Sequence, residues 1–126
     1  MSKKESLIKS FGYAGRGLVD ALRDEPNLRI HLLVTVIVII LGFIFRLGPT
    51  EWAVLTVCVT LVISLELINT VLEEMVDLAS PEISETARKA KDISAAAVFT
   101  SSVGAILVGL LLFLPKILQF VFSLAL

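Results

Sequence analysis

Residues 32–45, 52–65 and 93–114 carry no charged side chain, and these three runs limit what the chain can become. About twenty consecutive apolar residues make about 30 Å of helix, the thickness of a bilayer core. The third run is long enough by itself. The first reaches that length over residues 28–47, with Arg29, His31 and Arg46 near the interfaces, and the second over residues 52–72, with Trp52 as an interfacial anchor. Hydrophobic residues make up 56% of the chain, above the roughly 45–50% usual in soluble domains. The sequence therefore predicts an all-α membrane protein with spans over about 28–47, 52–72 and 93–114. Its 126 residues form one domain, 1–126.

The remaining segments fit that plan. Over residues 2–24, Leu7, Phe11, Ala14, Leu18 and Leu22 recur at three- and four-residue spacing, while Lys3, Lys4, Lys9, Arg16 and Arg23 fall mostly elsewhere. That pattern predicts an amphipathic helix on the membrane surface. Gly12, Gly15 and Gly17 within it do not make a phosphate loop, since no strand precedes them and no Lys-Ser/Thr follows. Pro26 breaks the helix. Gly48-Pro49-Thr50-Glu51 is a tight turn, with Thr50 as the expected cap of the next helix. Ser80-Pro81 marks another turn, and a new helix is expected from Ser84 onward. The third run is rich in small residues, from Ser94 to Gly109, which suits close helix packing in lipid. Pro115 and Lys116 are expected to end it. The tail, 117–126, is too short to span and either lies along the interface or extends the last helix. Cys58 is the single cysteine, so no intrachain disulfide can form. Met1 to Lys4 are polar and no apolar core with a cleavage site follows, so a cleaved signal peptide is not expected.

Six Lys and Arg lie before or at the start of the first span (3, 4, 9, 16, 23 and 29) and three between the second and third (88, 89 and 91), against one at the first loop (46) and one in the tail (116). This asymmetry puts the amino terminus and the second loop in the cytoplasm. Glu25, Lys91, Asp92 and the end of the second span then share one side of the membrane.

The second span ends in Glu66-Leu67-Ile68-Asn69-Thr70-Val71-Leu72-Glu73-Glu74-Met75-Val76-Asp77. At about 100° per residue, Glu66, Asn69, Glu73 and Asp77 fall within roughly 80° of one helical face. Glu74 and Asp77, taken alone, read as the solvated end of a helix. Glu66 does not, because apolar residues flank it on both sides. An ionisable group inside a span is expensive and marks function.

The cytoplasmic-side carboxylates Glu25, Glu73 and Asp77 are hard oxygen donors, of the kind that hold Mg²⁺ together with substrate phosphates. Lys91 is a cation suited to a polyphosphate. Glu66 lies deeper, in the setting where a carboxylate is tuned for general-base work. A lipid headgroup could reach it from the bilayer. These parts suggest phosphoryl transfer to a lipid hydroxyl. A non-enzymatic helical membrane subunit, its polar residues stitching an oligomer together, is the alternative. A transporter fits less well, because three spans carry no inverted repeat.

The Glu66–Asp77 run resembles the signature of the small prokaryotic diacylglycerol kinase family, which includes undecaprenol kinases. Ala90-Lys91-Asp92-Ile93-Ser94-Ala95-Ala96-Ala97-Val98 and Asp24-Glu25-Pro26-Asn27-Leu28-Arg29-Ile30-His31 resemble two further blocks of that family, in the same order. The resemblance covers roughly residues 7–114. It implies a homotrimer in a bacterial inner membrane, with active sites shared between protomers and ATP with Mg²⁺ as phosphoryl donor. By position, Glu66 resembles the base and a lipid contact, Glu25 and Glu73 the carboxylates for Mg²⁺ and ATP, and Asn69, Lys91 and Asp92 residues that hold the nucleotide. Tyr13 and the segment Glu82, Ile83 and Ser84 match nucleotide positions, and Arg29 a lipid position. Ser6, Ser84 and Ala96 stand where family members often carry a basic residue, His and Gly. The Asn27-Leu28-Arg29-Ile30-His31 form resembles the Gram-positive branch, whose usual acceptor is undecaprenol, with diacylglycerol as the other candidate. Membrane lipids are the expected surroundings, and no nucleic-acid partner is expected.

Overall fold

The computed structural model describes residues 3–82 and 84–125, with side chains from residue 6 onward, and is entirely helical among them. Four helices follow in order: α1 (Lys3–Asp24), α2 (Pro26–Ile44), α3 (Pro49–Ala79) and α4 (Glu85–Ala125). The last three are each long and apolar enough to cross a membrane. The chain is an integral membrane protein, with α1 as the amphipathic helix in front of the spans. Leu7, Phe11 and Leu18 on the apolar face of α1 are exposed in the protomer, as expected of a face that meets lipid.

Glu25 joins α1 to α2. Its backbone is extended (φ −104°, ψ 104°), and Pro26 starts α2, where a missing N–H costs nothing. The Glu25 N–H still bonds the Ala21 carbonyl at 2.8 Å. This local geometry carries the Glu25 carboxylate to the end of α2 where the polar face of α3 emerges.

The turn between α2 and α3 is built differently from the sequence expectation. The left-handed residue is Arg46 (φ 51°), not a glycine. Leu47 N–H bonds Gly42 O at 2.9 Å and Arg46 N–H bonds Phe43 O at 3.3 Å, the paired bonds of a Schellman end. Thr50 is not the cap of α3. Gly48 occupies that position with Pro49 after it, and the Glu51 carboxylate accepts the Gly48 N–H at 2.7 Å. Glycine is needed at 42 because a Cβ there would stand 2.7 Å from the Trp52 ring. That close approach lets Trp52 lie against α2, with Phe43 at 4.9 Å between ring centroids.

Helix α4 passes through Pro115 and ends at Ala125, so Pro115 and Lys116 do not stop it and most of the tail extends the last helix. Proline inside a helix loses one hydrogen bond, but surrounding contacts can hold the next turn. Here Lys116 pairs with Glu51 at 3.1 Å, and Phe120 packs edge-on against Phe45. At this end of the molecule Leu47, Leu55 and Phe113 form the buried core, ringed by Val38, Leu41, Phe45, Trp52, Val59 and Leu112. The opposite end of α3 is held by polar contacts instead.

Candidate active site

At that opposite end, Glu66, Asn69, Thr70 and Ser94 are buried. Glu66 is only 2% exposed. Helix periodicity on α3 puts Glu66, Asn69 and Glu73 on the side that meets α4 and the start of α2, while Glu74 and Asp77 stay exposed. Thr70 turns its hydroxyl back to the Glu66 carbonyl at 3.1 Å, which closes that polar group within the helix.

A relay of hydrogen bonds then fixes the amide of Asn69. Ser94 on α4 donates to Asn69 Oδ1 at 2.6 Å, and Asn69 Nδ2 donates to Glu73 Oε1 at 3.0 Å. With both ends of its amide engaged, Asn69 holds one Glu73 oxygen and leaves the other free. In the sequence Ser94 reads only as one of the small packing residues of the third run. Its position three after Lys91, on the same helical face, was the available signal. Replacing Ser94 with Ala leaves Asn69 Oδ1 buried without its donor. The expected cost is about 1–2 kcal/mol of unfolding free energy, read as a lower thermal midpoint in detergent, while Ser94→Thr costs less.

His31 on α2 reaches the same place. Its Nε2 lies 3.9 Å from Glu66 Oε2. The charged and titratable side chains acting on Glu66 are His31, Glu25 and Glu73, so three elements meet around one buried carboxylate. His31 also closes one end of a groove between α2, α3 and α4 with a cavity volume of about 350 Å³. The groove wall is apolar: Val34, Val38, Leu55, Val62 and Ile106 line it, with Ala105 and Gly109 leaving room on α4.

The other anticipated residues lie nearer the helix ends. Lys91 is half-buried and ion-paired with Asp77, tying α4 to α3. Asp92 is exposed and pairs with Arg88 one turn earlier. Lys91, Arg88, Asp77, Glu82 and Ser84 line a second hollow of about 210 Å³ at the turn. Glu82 is exposed, with its carbonyl accepting the Ser80 hydroxyl at 2.9 Å. Ser84 is the N-cap of α4, its Oγ accepting the Ala87 N–H at 3.1 Å. Ile83 lies outside the described residues. Tyr13 and Arg29 are exposed, and Arg16 sits 4.9 Å from the Tyr13 ring centre. One protomer thus gathers Glu25, His31, Glu66, Asn69, Glu73 and Ser94, and leaves Tyr13, Arg29, Glu82 and Asp92 open.

Among the described residues, no group of three or more His, Cys, Asp or Glu side chains is close enough to form a metal cage. Mg²⁺ does not need one. It commonly takes one or two carboxylates and completes its shell with water and substrate phosphates. Glu73, with one oxygen outside its bond to Asn69, and Glu25, at the start of α2, are carboxylates of the type that set takes.

Residues 12–113 match the family described as prokaryotic diacylglycerol kinase. The chain belongs to this family. Membership makes it a lipid kinase. Among its curated relatives, an undecaprenol kinase of Bacillus subtilis is 39% identical over 88% of this chain and 90% of the relative. A diacylglycerol kinase of Synechocystis is 39% identical over 90% of this chain and 66% of its own length. A diacylglycerol kinase of Escherichia coli is 27% identical over 80% of this chain. ATP is the phosphoryl donor that kinase membership implies.

Proposed function

We propose that this chain phosphorylates undecaprenol, using Mg²⁺ and ATP, with Glu66 as general base. The observation that carries the reading is a carboxylate only 2% exposed, beside the end of an apolar groove between the spans. A long single-chain alcohol lies in such a groove with its hydroxyl at the His31 end. Glu66 takes the hydroxyl proton, the hydroxyl oxygen bonds to the γ-phosphorus, and the bond from that phosphorus to the β–γ bridging oxygen breaks. ADP leaves. Bound Mg²⁺ supplies charge neutralisation on the phosphates. Glu25 and Glu73 hold it, Asn69 fixes Glu73, and Lys91 turns from Asp77 to the phosphates. Tyr13, Glu82, Ile83, Ser84 and Asp92 complete the nucleotide site, and Arg29 meets the lipid headgroup.

The exposure of Tyr13, Glu82 and Asp92 in one protomer supports a homotrimer whose neighbours close the site. The Lys and Arg distribution supports a bacterial inner membrane orientation with the amino terminus and the second loop cytoplasmic. The whole chain acts as one domain. Diacylglycerol is the second acceptor to test, because the Synechocystis relative is as similar in sequence identity as the Bacillus one.

The deciding experiment measures ATP-dependent phosphate transfer by the purified protein in mixed micelles, with undecaprenol and diacylglycerol side by side. A kcat/KM at least about tenfold higher for undecaprenol, equal to about 1.4 kcal/mol of discrimination, is expected. The reverse preference overturns the acceptor, and activity on neither overturns the kinase mechanism assigned to Glu66.

A further inference from the structure

A base as buried as Glu66 has to dispose of the proton it takes. Its side chain is 3% exposed, whereas the neighbouring His31 side chain is 22% exposed. The two are 3.9 Å apart, outside direct hydrogen-bond range and within the reach of one bridging water or a small ring rotation. The other groups acting on Glu66 are the carboxylates Glu25 and Glu73, which the kinase reading commits to the nucleotide and its cation. On α2 itself, Thr35 donates its hydroxyl to the His31 carbonyl at 2.8 Å, so it leaves the imidazole free to face α3. The imidazole stands where the carboxylate and the apolar groove meet, with part of the ring left exposed.

We infer that His31 is the proton outlet of the site: after phosphoryl transfer it accepts the proton from the Glu66 carboxyl and passes it to water. The transfer restores the Glu66 carboxylate and leaves an imidazolium. The imidazolium then loses the same proton to solvent at its exposed edge, and no other reactant is consumed. His31 acts on the base and not on the phosphate, so it governs turnover and not nucleotide binding. This inference rests on the kinase reading with Glu66 as base.

The test compares wild type, His31→Gln and His31→Ala in the micelle assay, with the better of the two lipid acceptors at saturation. Gln can hydrogen-bond to Glu66 but cannot carry its proton. Both variants are expected to lose kcat by about 30-fold, within the range of acid–base contributions, with KM for ATP within about twofold of wild type. Imidazole added to the buffer restores His31→Ala by about tenfold, since the truncated site admits it, and leaves His31→Gln unchanged. A His31→Gln enzyme within twofold of wild type overturns the proposal. So does a loss confined to KM, or a His31→Ala enzyme that imidazole does not restore.

His31 is the only histidine in the chain, so its ring can also be followed directly by nitrogen NMR in unaltered protein. Its ring nitrogen signals are expected to differ between wild type and Glu66→Gln, because Nε2 faces the carboxylate at 3.9 Å. Identical signals in the two proteins overturn the coupling even where the His31 variants do not fold. A wild type without transferase activity sinks the kinase reading and this proposal with it, whereas an active wild type with an indifferent His31 sinks this proposal alone.

Discussion

Glu66→Gln is expected to lower kcat by about 10³-fold or more, at the upper part of what a general base contributes, while the protein remains folded. The two side chains have nearly the same shape, so the amide fills the same space between α2 and α3. The backbone carbonyl of residue 66 still accepts the Thr70 hydroxyl. A carboxylate with 2% exposure, facing an imidazole beyond hydrogen-bond distance, is poorly compensated for its lost hydration. Neutralising it therefore leaves the thermal midpoint in detergent unchanged or raises it. A pure stability defect has the opposite signature, with activity and midpoint falling together. Exposed Glu74, about 80° around the same helix from Glu66, provides the control: Glu74→Gln stays within about twofold of wild type. Retention of more than a tenth of the wild-type kcat in Glu66→Gln would remove it from the role of base.

The spans were legible because lipid imposes a simple demand on the sequence. A run such as 93–114 admits no charge, and one helix is its answer. The carboxylate row was legible for a related reason: Glu66 breaks an otherwise apolar run at a helical spacing from Asn69 and Glu73. Elements that depend on a particular contact were not legible. Arg46 takes a left-handed position of the kind glycine usually fills, and its bonds to α2 are set by the way Leu47 folds back on Gly42. Pro115 normally ends a helix, but its effect is offset by Glu51 and Phe45, which are distant in sequence.

The same distinction applies inside the site. Glu66, Asn69 and Glu73 lie on one helix, so periodicity aligns them. Ser94 and His31 come from other helices, and only the packing of α4 and α2 against α3 brings them to Asn69 and Glu66. Lys91 and Asp77 each stand out in the sequence, yet their pairing depends on how α4 descends beside α3 after the turn at Ser80. The sequence could supply the chemistry of each group but not which groups touch.

Those contacts determine the outcome at Glu73. Glu73→Gln keeps an oxygen able to accept from Asn69 Nδ2, so the Ser94–Asn69 relay and the packing of α4 on α3 persist. What is lost is the charge on the second, free oxygen. Glu73 lies seven residues from Glu66, about 10 Å along the helix axis at 1.5 Å per residue. That separation suits a nucleotide-holding carboxylate working beside, and not as, the base. The expected result is a kcat lower by about 10²-fold, the scale of a lost charge contact in phosphoryl transfer. The Mg²⁺ concentration for half-maximal rate should rise by about tenfold, because one of two carboxylates has gone. The thermal midpoint should stay within a few degrees of wild type. Glu25→Gln should move the Mg²⁺ dependence in the same direction. Glu66→Gln should lower the rate without moving it, because a base and a cation ligand fail differently. If Glu73→Gln lost rate at every Mg²⁺ concentration with no change in the half-maximal point, Glu73 would be a structural partner of Asn69 and not a ligand.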